Sequence, residues 1–285
     1  MDLPFELVRD ILELAAAASV AHNQHWVSQL SLVCKVARSW VQPVLFHTLC
    51  IDVRNQQPFF ALLRAKPPEF FAFVRHLFIT WALPPGELSS KFLASFEHVR
   101  VVSVHFRYLQ FLSRAPNFRP TKVFVTSAFF LDVAQGMHDE PTVLRGVTHL
   151  RLHSQAINQT GWPALKSVMP ALTHICLDVT SGLLDRQMLA FKTDLAAFLE
   201  NAQCARIIVR YNVRAVDNWA LMFATLRSLN DPRVYAHRVK RGERVLDGVA
   251  SWLEFCAIDA RAGIDPWSCG KPVCTSVTRL ASDTS

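Results

Sequence analysis

The side chains best suited to proton transfer, nucleophilic attack or metal ligation in this chain are its 11 histidines and 7 cysteines. His149 and His153 flank one strand-like segment, and Cys269 and Cys274 stand with four residues between them near the C-terminus. A zinc site needs further ligands at matching spacing, and none accompanies the two cysteines. Cys34, Cys50, Cys176, Cys204 and Cys256 lie inside apolar runs, as buried thiols do in a reducing compartment. The chain has no phosphate-binding GxxxxGKS/T, dinucleotide GxGxxG, HExxH or GxSxG pattern. The expectation is a protein that is not an enzyme and uses no cofactor or metal. A Cys/His hydrolase on a degenerate α/β fold is the enzymatic alternative.

A second signal comes from short segments reading apolar, any, apolar. The pairs are Leu49/Ile51, Leu77/Ile79, Val102/Val104, Val123/Val125, Leu150/Leu152, Ile175/Leu177, Ile207/Val209 and Val234/Ala236. They recur about every 26 residues, within the range of leucine-rich repeats. Period-2 alternation puts both residues of a pair on one sheet face. Apolar helical stretches should cover that face: Phe59 to Leu63, Leu88 to Phe96, Phe129 to Val133, Leu165 to Met169, Leu183 to Leu199, Trp219 to Leu229 and Val249 to Phe255. A strand followed by a helix, many times over, favours a parallel sheet with right-handed crossovers. The fold class is therefore α/β, read as a solenoid with a parallel sheet and outer helices. A doubly wound enzyme fold is the competitor, but no strand here leads into a Gly-rich loop.

Residues alternating with the pairs point to the other, open face. Before, between and after the pairs stand five Lys or Arg, six His and only two acids, among them Lys122, His149, His174 and Asp178. Arg carries a planar fork suited to carboxylate and phosphate oxygens. Arg151, His153, Arg206, Arg210, Arg233 and His237 are thus the candidate contacts for an acidic or phosphorylated client segment. An exposed sheet also needs polar side chains of some kind, and these can be basic without a partner. The run Arg238, Lys240, Arg241 and Arg244 has only Tyr235 as an aromatic neighbour, so nucleic acid is not the expected partner.

Ahead of the repeats, Pro4 suits a helix start, and Glu6 and Asp10 oppose the positive end of that helix dipole. Leu7, Ile11 and Leu14 form one apolar stripe, with Val8, Leu12 and Ala15 beside it. Leu30, Leu32, Val33 and Val36 and then Trp40, Val41, Val44 and Leu45 make two more clusters, with Pro43 marking a bend or break between helices. So short a segment must finish burying itself against a following domain or a partner.

The ordered run Leu3-Pro4-Phe5-Glu6-Leu7, Ile11-Leu12, Leu30-Ser31-Leu32-Val33-Cys34 and Trp40 to Pro43 resembles an F-box, most closely the fungal form. The degenerate repeats behind it resemble the leucine-rich-repeat domains that follow F-boxes. The resemblance implies a substrate receptor that docks on the Skp adaptor and cullin scaffold of a ubiquitin ligase, with Leu3, Pro4, Ile11, Leu30, Leu32, Val33 and Cys34 at the adaptor. The expected organisation is an F-box over residues 1–46, a solenoid over 47–262 and a disordered tail over 263–285. A repeat scaffold with no ligase role, its helices merely capping the solenoid, is the alternative.

Composition fits these readings. Side chains are 51% hydrophobic and 19% charged, which suits a globular chain with a sizeable core. The formal charge is +7, yet residues 1–46 carry three basic and four acidic groups, so the basic excess belongs to the repeats. No signal-peptide pattern or membrane-length apolar run is present, and the expected location is intracellular, in cytoplasm or nucleus.

Overall fold

The computed structural model describes residues 3–79, 90–103, 111–112, 114–125, 142–153, 168–179, 185–211, 219–238 and 249–274. Two units emerge, one of Met1–Thr121 with Leu246–Asp265 and the other of Lys122–Val245 with Pro266–Ser285. Every expected apolar pair lies on a strand, save Val104, which falls outside the described residues. The expected helices Phe129 to Val133 and most of Leu165 to Met169 also lie outside them.

The first unit opens with three helices, α1 (Phe5–Ser19), α2 (Gln24–Leu30) and α3 (Lys35–His47). Pro4 caps α1 from outside, and Glu6 sits in the first turn, where negative charge favours the helix dipole. Asn23 accepts from the backbone N–H of Trp26 to start α2, and the Cys34 sulfur accepts from that of Ala37 to start α3. Pro43 does not break the chain as expected; it lies inside α3, which runs one more turn to His47. Ala16, Val20, Val27 and Val41 form a small core, with Leu30, Val44 and Leu45 packed against it.

Three parallel strands follow, β1 (Thr48–Ile51), β2 (His76–Ile79) and β3 (Val101–Ser103), in the register Thr48 to His76 to Val101. Between them come α4 (Gln56–Ala65), a 3-10 turn at Pro68–Phe71 and α5 (Ser90–Ser95). Phenylalanine fills this layer: Phe59 lies 5.3 Å from Phe60 and 6.2 Å from Phe71, and Phe92 lies 4.8 Å from Phe96, ring centre to ring centre. Such offset rings add packing energy beyond their buried area.

In the second unit, β4 (Lys122–Val125), β5 (His149–His153), β6 (His174–Val179), β7 (Arg206–Tyr211) and β8 (Val234–Arg238) pair in parallel, each with the next in sequence. Among the described strands the order within each unit never reverses, unlike the strand order of a doubly wound sheet. Its described helices are α6 (Asp185–Leu199) and α7 (Trp219–Ser228), which pack together. Phe191, Leu195, Met222 and Leu226 are buried along with Leu150, Ile175, Ile207 and Val234 of the strands.

The other sheet face is not open. In the first unit α8 (Val249–Arg261) returns to pack on β1 and β2, and Trp252, Cys256 and Ala257 are fully buried. Phe78, which points away from Leu77 and Ile79, is as buried as they are. In the second unit residues 266–274 form a strap ending in β9 (Lys271–Pro272), antiparallel to β8. The disordered tail expected from residue 263 is therefore corrected over 263–274, and residues 275–285 lie outside the described set. The Pro- and Ser-rich composition concealed two anchors, Trp267 and Val273, both buried.

Gly270 makes the strap's approach possible. Its φ is +93°, and a Cβ there would stand 3.0 Å from the Ala236 carbonyl oxygen. Gly270→Ala should destabilise the protein by roughly 1–3 kcal/mol, through strained backbone and a clash that only main-chain movement relieves. Urea unfolding of the two proteins checks this, and equal midpoints would show that the strap contributes nothing to stability.

Candidate functional site

Two surfaces compete for a functional role. The first lies on the three N-terminal helices. Helix α1 contributes Ala16 to the small core, joined by Val20 just past its end, with Val8 and Leu12 half-buried, and its sequence supplies a second apolar flank. Leu7, Ile11 and Leu14 on that flank are exposed, Leu14 by 71%. Leu32 and Val33, at the junction before α3, are exposed by 68% and 73%, and Val36 by 42%. Phe5 packs edge-on to Trp40 at 4.8 Å, tying the start of α1 to the Val36–Trp40 row of α3. So many exposed large apolar side chains are unusual for a small helical body that faces water alone.

Of the residues expected at the adaptor, Leu3, Pro4, Ile11, Leu32, Val33 and Cys34 are exposed. Leu30 is half-buried and packs against the small core. Phe5, Leu14 and Val36 join the exposed set although the motif did not single them out. Their helical spacing was visible, but which of two apolar flanks closes the core is a tertiary fact.

The second surface is the sheet face of the second unit, where the basic columns were expected to be open. Arg151, His153 and Arg210 are instead buried, with exposures of 0%, 2% and 3%. Asp178 explains how. Its carboxylate accepts from Arg151 Nε, and Arg210 Nε lies 3.6 Å from its other oxygen. The register sets His153, Asp178, Arg210 and His237 side by side on β5 to β8, with Arg151 diagonal to Asp178. This Arg–Asp–Arg group is a structural element shielded from water. Burial pushes the His153 imidazole below its ordinary value, against the opposing pull of Asp178. Burial and Asp178 together push the Cys176 thiol upward, so this sulfur is a packing group with little thiolate character.

Arg206 and Arg233 also have structural work. Arg233 binds Asp231 through two nitrogens at 2.9 and 2.6 Å and donates to the carbonyls of Leu199 and Cys204. This clip holds the Asp231 carboxyl below its usual range. Arg206 lies 3.8 Å above the Tyr235 ring and donates to the Cys269 carbonyl of the strap at 3.0 Å. Cys269 donates to the Pro266 carbonyl and Cys274 to the Asn230 side chain.

Trp267 is the residue that the sequence reading missed. Its indole N–H donates to the Leu150 carbonyl at 3.4 Å, and its ring meets Phe124 at 5.5 Å and His149 at 5.0 Å. Lys122 Nζ sits 4.8 Å from the same ring. A lone aromatic in a Pro- and Ser-rich stretch is the one signal that could have found it.

No family model matches this chain, and no curated protein or solved structure does so either. Fold and surfaces define its class: an α/β protein with a mostly parallel sheet and an exposed apolar surface on its leading helices. No described helix is long and apolar enough to cross a membrane.

Asp178→Asn should destabilise the fold by about 3–5 kcal/mol, because two buried guanidinium groups lose the charge they share. Calorimetry or denaturant titration measures it; a loss below about 1 kcal/mol would mean that Asp178 does not hold the cluster. His153 gives a pH test. Its folded value is depressed, so the unfolded chain binds the proton more readily, and the stabilisation is complete above about pH 6.5 and shrinks as pH falls below it. His153→Gln should flatten the decline in stability between neutral pH and about pH 5. An unchanged slope would place the acid sensitivity elsewhere.

Proposed function

We propose that this chain is the substrate-receptor subunit of an SCF-type cullin-RING ubiquitin ligase. Its F-box-like helices dock on the Skp adaptor, and its leucine-rich-repeat-like solenoid holds a client protein. One observation carries the reading: the apolar set Leu3, Ile11, Leu14, Leu32 and Val33 is exposed in the chain alone. Helices that merely capped the repeats would turn this set inward. The order of the motif, the small independent core and the sequential parallel strands support the same reading.

The receptor makes and breaks no bonds. It supplies proximity, turning the meeting of client and ubiquitin-charged enzyme into an intramolecular event at high effective concentration. The adaptor contact is hydrophobic, so desolvation of the exposed leucines and valines is its driving force.

The test is capture of purified Skp adaptor by the full-length chain and by a Leu32→Asp, Val33→Asp double variant. Both positions are exposed, so the variant should keep its melting temperature. Capture should weaken by ~30-fold or more, the loss of one interface hot spot. A folded wild-type chain that fails to capture the adaptor would leave the helices as a cap, and the ligase reading would fall.

A further inference from the structure

The strap meets the sheet face of the second unit as a bound peptide would. Trp267 is buried against Lys122 and Phe124 of β4 and His149 and Leu150 of β5. Three residues on, Gly270 brings the main chain close to Ala236, and Lys271–Pro272 then pair antiparallel with β8. We propose that this groove is a binding site for a peptide segment of another protein, one with a tryptophan three residues before a glycine. The strap is the resident occupant, and such a segment displaces it. The inference rests on the reading of the repeats as a client-holding surface.

The strap is gripped through its main chain and one indole. The Val273 N–H donates to the Val234 carbonyl at 2.9 Å, and Arg206 Nη2 donates to the Cys269 carbonyl at 3.0 Å. Main-chain pairing to a sheet edge, with a side-chain pocket for selectivity, is the β-augmentation mode of peptide recognition. On the side away from β7, the five-residue β8 is paired by β9 at two residues, so little ladder has to break for release. Main-chain bonds carry little sequence information, and two positions of the strap supply it. The indole N–H serves the Leu150 carbonyl, which a phenylalanine would leave without this donor. A Cβ in place of the glycine hydrogen would stand 3.0 Å from the Ala236 carbonyl oxygen, so a segment with any larger residue there fits badly.

The face beneath favours exchange. Phe124 touches Trp267 and also lies 5.3 Å below the Arg151 guanidinium, and Arg151, Asp178 and Arg210 are buried on that face. Charged groups regain hydration when their cover lifts, whereas an apolar core exposed in the same way gains nothing. The covalent tether opposes release, because a short flexible link holds the strap at a roughly millimolar effective concentration. An external segment therefore competes only if it fills the tryptophan seat as well as the strap does.

The experiment titrates the full-length chain, without adaptor and under a thiol reductant, with a fluorescent peptide of the strap's own sequence, Ile264 to Cys274. Anisotropy should show about tenfold tighter binding to the Trp267→Ala chain than to the unaltered chain, because the variant's own strap competes poorly. The same peptide with phenylalanine in place of its tryptophan should bind about tenfold more weakly. Native-state hydrogen exchange on the unaltered chain gives a reading that needs no variant to fold. The Val273 amide should exchange about tenfold faster than the Ile207 amide of β7, through an opening that leaves the sheet intact. Equal protection of the two amides, no peptide binding to a folded Trp267→Ala chain, or indifference to the peptide's tryptophan would each overturn the proposal. Dimerisation of the unaltered chain by exchange of straps, read by sedimentation, would assign the groove to a second copy and overturn it too. Because no adaptor is present, each of these leaves the adaptor-capture result standing.

Discussion

A parallel sheet has two faces, and its crossovers place helices on them, so its strands do best with both faces covered. Much of this structure follows from that. The apolar pairs face one layer, and the chain brings its own C-terminal residues to the other: α8 over β1 and β2 in the first unit, the strap over β4 to β8 in the second. With the strap in place, Arg151, Asp178 and Arg210 on that face are removed from water. Desolvating two guanidiniums costs several kcal/mol each unless an anion compensates. Asp178 is that anion.

The strands were legible because alternation with period 2 is local and repeats. Leu150/Leu152 and Ile207/Val209 each announce a strand with no knowledge of the rest. The fate of Arg151 was not legible by the same rule. Alternation assigns it to the face opposite Leu150, but whether that face is wet depends on a segment more than a hundred residues further on. Asp178 stood in the same columns as one of two acids, and its solitary charge among so many bases was a clue to burial that composition alone did not force. Pro43 misled for a related reason. Its missing N–H removes a single backbone hydrogen bond, which does not stop α3 from completing its final turn.

The N-terminal helices pose the reverse case. Small residues, Ala16 and Ala37 with Val27 and Val41, sit at the centre of their core, so the helices approach closely and little apolar surface is needed inside. Larger residues, Leu14, Leu32 and Val33, are left outside. A chain selected only to close this core would reverse that arrangement, because burying a leucine stabilises more than burying an alanine. The stripe was readable from spacing; the choice of which flank remains wet was not.

The exposed apolar surface of the leading helices and the basic strand starts of the second unit differ in their physics. Burial of leucine and valine depends little on salt or pH. Contacts between exposed cations and carboxylates are screened over about 10 Å at ordinary ionic strength. Charge contacts chiefly govern association rate and choice of partner, whereas apolar anchors govern residence time.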